Sequence, residues 1–350
     1  MAAQLREEYE PSVRVLDRPA RPHTPGVTRA LNAYRDPTLW RSVSELLVTL
    51  LLFVSLWLLM WLAVGSGYWI GLLLVLPAAG LLVRLFVIQH DCGHRSFFRH
   101  PFTNDCVGRI IGVITLTPYD SWRQAHASHH ATSGNLDRRG IGDIGTLTVA
   151  EFRARSQFGR FVYRLYRHPF VMFGVGPAYL FLVRHRLPIG MMRSGWQAWL
   201  GVMATNAAVV VLIATMAWLV GIGPFLVIHL PTTLLAASIG VWLFYVQHQF
   251  ERTSWEHDAA WTFHDSAVQG SSHYDLPLVL RWFTGNIGIH HVHHLSSRIP
   301  YYRLPEVLRD NPYLGNVNRI TLFESLRVVN LALWDEKKQR LVTFKEGLTS

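Results

Sequence analysis

Four stretches of this chain, residues 43–64, 68–89, 199–220 and 223–246, stay apolar for about the twenty residues a helix needs to cross a hydrocarbon core about 30 Å thick. No other feature narrows the possible folds as far. Only 16% of the 350 residues are charged, against about 25% in a typical soluble domain. Buried core helices of a large soluble protein would not need four runs of this length. Near the end of the second run stands Arg84, which can reach the interface by snorkelling. The fourth run carries His229 and Pro231, both tolerable inside a bundle whose other groups satisfy the backbone.

The connections at 65–67 and 221–222 are tiny and uncharged, and nearly all the arginines lie on the other side. That is the positive-inside asymmetry. It puts the N-terminus, residues 90–198 and residues 247–350 in the cytosol and makes the chain a multi-pass protein of the cell membrane. Residues 1–41 are rich in Arg, Pro and Glu and lack an apolar core near the start, so they read as a cytosolic tail rather than a signal peptide. Residues 42–350 then form a single membrane domain. Two shorter apolar runs, 106–117 and 170–183, are expected to be interfacial. The formal charge is +10. With no zinc-finger or RRM signature the basic residues read as topology signals, and no nucleic-acid partner is expected. The two cysteines, Cys92 and Cys106, form no disulfide framework. The fold class expected is all-α, with four transmembrane helices under a cytosolic helical cap.

Three histidine clusters follow the apolar runs. His90 and His94 are spaced i, i+4. His126, His129 and His130 are spaced i, i+3, i+4, and so are His290, His293 and His294. Such positions share a helix face, so each set can converge on a metal. His291 points about 100° away and is set aside. Imidazole suits iron, zinc, copper and nickel. Zinc takes three or four protein ligands, so eight histidines overfill one zinc and suit two metals of higher coordination. None of the clusters is a Glu-x-x-His motif, which sets them apart from carboxylate di-iron bundles. An all-imidazole site with open positions suits oxygen chemistry.

The surrounding motifs are specific. His-Asp-Cys-Gly-His at 90–94 precedes Ser96, Phe97 and Phe98. Residues 126–130 run into Ala-Thr-Ser-Gly-Asn-Leu-Asp-Arg-Arg-Gly at 131–140, and then Gly142 and Asp143. Residues 244–251 read Phe-Tyr-Val-Gln-His-Gln-Phe-Glu, and residues 285–296 read Gly-Asn-Ile-Gly-Ile-His-His-Val-His-His-Leu-Ser. Over roughly residues 85–340 the chain resembles the membrane fatty acid desaturases of the bacterial acyl-lipid type. The resemblance implies a mushroom shape, four spanning helices under a metal-holding cap, two iron ions, and use of O2 and two electrons per double bond. It implies a ninth histidine ligand at His248. It also departs from relatives: animal acyl-CoA desaturases carry, one turn before that histidine, an asparagine that holds a metal-bound water, and here the position is Phe244. Asn286, one turn before His290, is a candidate for that role.

Metal-bound histidines commonly donate their second nitrogen to a carboxylate or carbonyl, which makes Asp91 and Asp143 candidate partners. Gln247 and Glu251 also adjoin the histidine sets. Arg138 and Arg139 could bind a phosphate or an acidic partner, but a solvated cap is the plainer expectation. Trp122 reads first as an interfacial anchor. His23, His100, His168, His185, His229, His257 and His264 are expected to be structural or exposed, with His229 in a span the one to watch. The expected reaction is cis desaturation of a lipid-linked acyl chain, at Δ12 (ω-6) or Δ5. Electrons would come from a ferredoxin-like or cytochrome b5-like donor, because the chain has no flavin or haem motif. The nearer rival is a hydroxylase, ketolase or alkane monooxygenase built on the same site. The more distant one is a metal-binding or metal-transport protein, which would need ligands deep in the spans.

Overall fold

The computed structural model describes residues 29–140 and 142–349. His23 and residues 1–28 of the expected tail lie outside them. Four helices are long and apolar enough to cross a membrane: Leu39–Gly65, Trp69–Gly93, Trp196–Val220 and Ile222–His248. They form two helical hairpins. We label the first helix α1 (Leu39–Gly65). The second opens with a 3-10 segment, Trp69–Leu74, and continues as α2 (Val75–Gly93). Between the hairpins lie α3 (Pro101–Ile114), α4 (Tyr119–Thr132), α5 (Gln157–Arg167) and α6 (Gly176–Leu182). The second hairpin is α7 (Trp196–Val220) and α8 (Ile222–His248). Then come α9 (Phe263–Gln269) and α10 (His290–Leu295).

Gly221 alone separates α7 from α8, at φ 85° and ψ 144°. That conformation is open to glycine and to almost nothing else, so the tight hairpin follows from one residue. α8 runs through Pro231 without ending. Both α2 and α8 extend beyond the apolar runs read from sequence, as far as Gly93 and His248. At 1.5 Å per residue a 27-residue helix measures about 40 Å, roughly 10 Å more than a hydrocarbon core. The surplus carries His90 and His248 on the last turns of helices that run the same way.

α2 is the central helix and packs against α1, α3 and α8. Its Leu81, Leu85, Ile88 and Cys92 are buried in the main core with Phe97, Val246 and Tyr301. α7 is the opposite case. Only 11% of its most apolar window is buried, and Val210, Val211 and Trp218 are exposed. Apolar surface on that scale marks a face made for lipid. α3 has 14 residues and α6 has 7, so neither reaches the length of a span.

Arg84 does not snorkel. Its side chain is buried, ion-paired to Glu45 of α1, and it donates to the Trp282 carbonyl and, at 3.2 Å, to the Thr49 hydroxyl. The guanidinium also lies 4.3 Å from the Trp282 ring centroid and 5.3 Å from that of Tyr301. The reason is the partner: a carboxylate on the neighbouring helix makes burial cheaper than reaching for water. The described part of the tail also packs on the cap. Tyr34 donates to Asp310, Arg35 donates to Ser296, and the Thr38 amide donates to the Tyr302 hydroxyl.

The mostly helical cap also holds two small sheets that sequence reading did not anticipate. β1 (Leu147–Thr148) pairs parallel with β4 (Leu331–Asp335), which pairs antiparallel with β5 (Arg340–Thr343). β2 (His273–Asp275) pairs parallel with β3 (Arg319–Thr321), setting Tyr274 opposite Ile320. Strands of two to five residues are too short to show an alternation in sequence.

The buried Arg84–Glu45 pair yields a test. Glu45→Met leaves a buried guanidinium without its carboxylate and should cost about 3 kcal/mol of stability. The double variant Glu45→Met/Arg84→Met removes both charges and should recover most of that loss, read as thermal unfolding in detergent.

Candidate metal centre

The nine histidines expected as ligands come together as two groups. His90, His94, His126, His130 and His293 form one, and His129, His248, His290 and His294 the other. Within each group the nitrogens able to bind a metal all lie within 4.8 Å of one another. α2 and its C-cap supply His90 and His94, α4 supplies three rings, α8 supplies His248, and α10 supplies three.

One expectation is corrected here. The second and third clusters do not each converge on a single point. His126 and His130 stay together while His129 joins the other group; His290 and His294 stay together while His293 crosses over. Helix geometry accounts for it. Position i+4 lies about 40° from i and position i+3 about 60° to the other side, so i+3 diverges from i+4 by about 100°. α4 and α10 therefore each bridge both groups.

The rings are fixed from behind. The Nδ1 atom of His129 is 2.5 Å from Asp143 Oδ1, and that of His248 is 3.1 Å from the Gly270 carbonyl at the end of α9. His90 Nδ1 lies 3.2 Å from Asp91 Oδ1, whose Oδ2 accepts the Tyr301 amide at 2.7 Å. Asp143 reaches His129 because Gly142 precedes it. Gly142 has φ 80°, and a Cβ there would come within 2.9 Å of the Ala125 carbonyl and 3.1 Å of His129 Cβ. Asp91 and Asp143, the two carboxylates named from sequence, thus each lie against a histidine of the two groups.

With each Nδ1 proton held by an oxygen, the Nε2 atoms of His129 and His248 carry lone pairs, yet they face each other at 3.2 Å. That is repulsive unless a cation stands between them. Similar Nε2–Nε2 separations of 2.9–3.2 Å link His94 to His126, His126 to His130, His130 to His293, and His290 to both His248 and His294. His90 Nε2 is buried without a hydrogen-bond partner. Protonation does not relieve the crowding. Burial, and then the neighbouring histidines, hold His94, His126, His130, His290, His293 and His294 well below the ordinary imidazole range. Neutral imidazoles converging in two sets are the donor chemistry for two metal ions.

Other expected residues fall as follows. His291 faces away, with its Nε2 2.9 Å from the Leu314 carbonyl. Asn286 is not one helical turn before His290, because α10 begins at His290. It stands in a turn at φ 53°, a left-handed position that suits asparagine. Gln247 donates to the Ile287 carbonyl, and Glu251 pairs with Arg340. Arg138 pairs with Asp258 and Arg139 with Glu151, so both are occupied within the cap. His229 stacks on Phe225, with centroids 5.0 Å apart, far along the helix from the two groups.

Two aromatic residues at the site were not assigned there from sequence. Trp122 stacks its ring on His126 at 4.6 Å and 15°, and meets Phe86 edge-on at 5.4 Å. Phe244 packs 5.1 Å from both His129 and His248. The signal was present in each case, since each residue lies four positions before a histidine on the same helix.

Comparison with known proteins adds the lineage. The fatty acid desaturase family model matches residues 66–318. A fatty acid desaturase of Bacillus subtilis (strain 168) is 44% identical over 319 residues, covering 91% of this chain and 90% of the relative. An sn-1 acyl-lipid omega-3 desaturase (ferredoxin) of Nostoc sp. (strain 36) is 26% identical, covering 82% of this chain and 76% of its own. An sn-1 oleoyl-lipid 12-desaturase of Synechocystis sp. is 29% identical, covering 64% of this chain and 63% of its own. A family match across most of the chain, joined to a relative this similar along nine-tenths of it, means that the chain belongs to the fatty acid desaturases and is an oxidoreductase.

Proposed function

We propose that this protein is an O2-dependent di-iron desaturase that places a cis double bond in a lipid-linked acyl chain. One observation carries the reading: nine imidazoles arranged as a set of five and a set of four. Iron is favoured over zinc because nine histidines exceed what zinc sites use, and because the site is that of an oxidoreductase. His90, His94, His126, His130 and His293 would hold one iron, and His129, His248, His290 and His294 the other. Bound there, two irons would activate O2, the oxidant that removes hydrogen from an unactivated methylene pair. The overall balance takes in O2, two electrons, two protons and the saturated bond, and returns a double bond and two waters.

The chain's own residues do the positioning. Asp143, Asp91 and the Gly270 carbonyl hold their rings so that Nε2 points inward. Phe244 and Trp122 cover the imidazoles with apolar surface and keep water from the reacting region. The chemistry belongs to the cofactor, and the protein supplies orientation and shielding. An acyl-lipid substrate is supported by the relatives whose names carry that substrate, and an external ferredoxin-like or cytochrome b5-like donor by the relative named for ferredoxin.

Residues 42–350 act as one membrane unit, with the preceding tail and the cap in the cytosol and the spans in the cell membrane. The positive-inside asymmetry supports that orientation. α2 and α8 both end at the histidine groups, so every candidate ligand stands at one end of the spans. No metal-transport reading gains support: His229 packs on Phe225, and the nine histidines gather at the span ends.

Expression in a host that lacks polyunsaturated lipids tests the reaction. Gas chromatography–mass spectrometry with double-bond derivatisation should find a new unsaturated acyl species. Hydroxylated lipids in its place would refute desaturation and favour the hydroxylase alternative. Metal analysis of the purified chain should find about two irons per chain for two imidazole groups. His129→Ala should remove iron from the second group; one zinc and no iron would defeat the di-iron assignment. Asp143→Asn keeps the ligands but weakens the hold on His129. Iron affinity in chelator competition should fall by about 10–100-fold.

A further inference from the structure

Residues 152–250 contain no aspartate or glutamate, yet eight arginines stand between 153 and 193. α5 lies in the middle of that stretch. Phe158, Phe161, Val162 and Leu165 recur along it at i, i+3, i+4 and i+7, and all four are exposed. The opposite face is fixed to the protein. The Tyr163 hydroxyl donates to the Ala332 carbonyl at 2.7 Å. Buried Arg167 donates to the Leu331 carbonyl at 2.7 Å, to Gln249 Oε1 at 2.9 Å and to the Tyr245 hydroxyl at 3.2 Å. The helix is therefore anchored on its polar and aromatic inner side and presents an aromatic stripe outward.

Its depth follows from those same contacts. Tyr245 and Gln249 flank His248, where α8 ends, so α5 lies level with the end of a span. The apolar surface continues from there. Phe170, Val175, Tyr179 and Val183 are exposed, and Phe173 packs on Trp242 and Tyr245 of α8 at 4.9 and 5.2 Å. This strip leads into the lipid-facing surface of α7. Arg155 precedes α5, Arg160 and Arg164 flank its stripe, and Arg184 and Arg193 follow before α7.

We propose that α5 is an anchor in the headgroup layer of the membrane and prefers anionic lipid. Its aromatic stripe enters the boundary between headgroups and acyl chains, and the arginines beside it bind lipid phosphates. A bilayer is the occupant because the stripe is continuous with the lipid-facing surface and level with the span end. Ahead of α7, residues 152–195 hold no acid, which complements an anionic surface. The proposal rests on the reading of the four long helices as spans.

Site-directed spin labelling of the full chain in lipid nanodiscs tests it. Labels are placed at Phe161→Cys on α5, Leu219→Cys on α7 and Lys337→Cys on the cap, with Cys106→Ser as background. Collision with oxygen should exceed collision with a water-soluble nickel complex at 161 and 219, and the reverse should hold at 337. A water-like label at 161 beside a lipid-like label at 219 overturns the anchor. Protection of that label by added ferredoxin would point to an acidic protein instead. Water-like labels at both 161 and 219 would show that the spanning reading itself has failed. Lipid preference has its own readout. The melting temperature should rise when phosphatidylglycerol is added to phosphatidylcholine discs, and Arg155→Gln/Arg160→Gln should lose about half of that rise. An equal rise in the variant overturns the preference for anionic lipid.

Discussion

Nine imidazole rings gathered in two groups, six of them buried, are the constraint on which the rest of the cap depends. A buried nitrogen lone pair left without a partner costs about 1–3 kcal/mol. Each group gathers four or five such nitrogens within 4.8 Å of one another. Cations held there would turn that cost into a gain and couple folding of the cap to filling of the two groups. The same term explains the shape of the site. α4 and α10 each send rings to both groups, and His248 of α8 meets rings from both helices. No single helix could satisfy its own histidines.

The groups are also tied to the helices beneath them. His90 leans on Asp91, which takes the Tyr301 amide. The Tyr301 hydroxyl reaches Glu45 of α1, and Glu45 holds Arg84 of α2. A buried ion pair is weak as a source of stability, since its desolvation cost offsets most of its attraction. Its value here lies in position. It joins the first span to the second, and through Tyr301 to the segment that follows α10. The chain thus closes a loop from the N-terminal helix to the third histidine cluster, with the first cluster inside it.

Local spacing was legible in the sequence, and relative placement was not. The i, i+3, i+4 pattern named the ligand candidates on α4 and α10 and set His291 aside, because those positions depend only on helix geometry. The division of each cluster between two groups depends on how four helices meet, which no single segment encodes. His248 lies alone at the end of α8, and only the resemblance of residues 244–251 singled it out. Arg84 was misread because its partner is 39 residues away on another helix. Asn286 was misread because the helix was assumed to begin before His290. Trp122 was open to the spacing argument but was judged by residue type instead, whereas Phe244 was placed by spacing one turn before His248 and given no role. The short strands β1 and β2 exist only through partners about 50–190 residues later in the chain, so no local pattern could announce them.

The height of the site has a physical consequence. Spans of 25 and 27 residues outlast the hydrocarbon layer by about 10 Å, and His90 and His248 occupy that surplus. An acyl chain would then have to rise from the bilayer only as far as its reacting bond to meet the imidazoles. Its headgroup would stay in the layer where charge is well solvated. A site deeper in the spans would oblige nine polar rings and two cations to enter hydrocarbon. A site higher in the cap would oblige the whole acyl chain to leave it, at about 0.8 kcal/mol per methylene. The last turn of α2 and α8 is the position that keeps both costs small. α5, held level with it by Arg167, sits at the same height for the same reason.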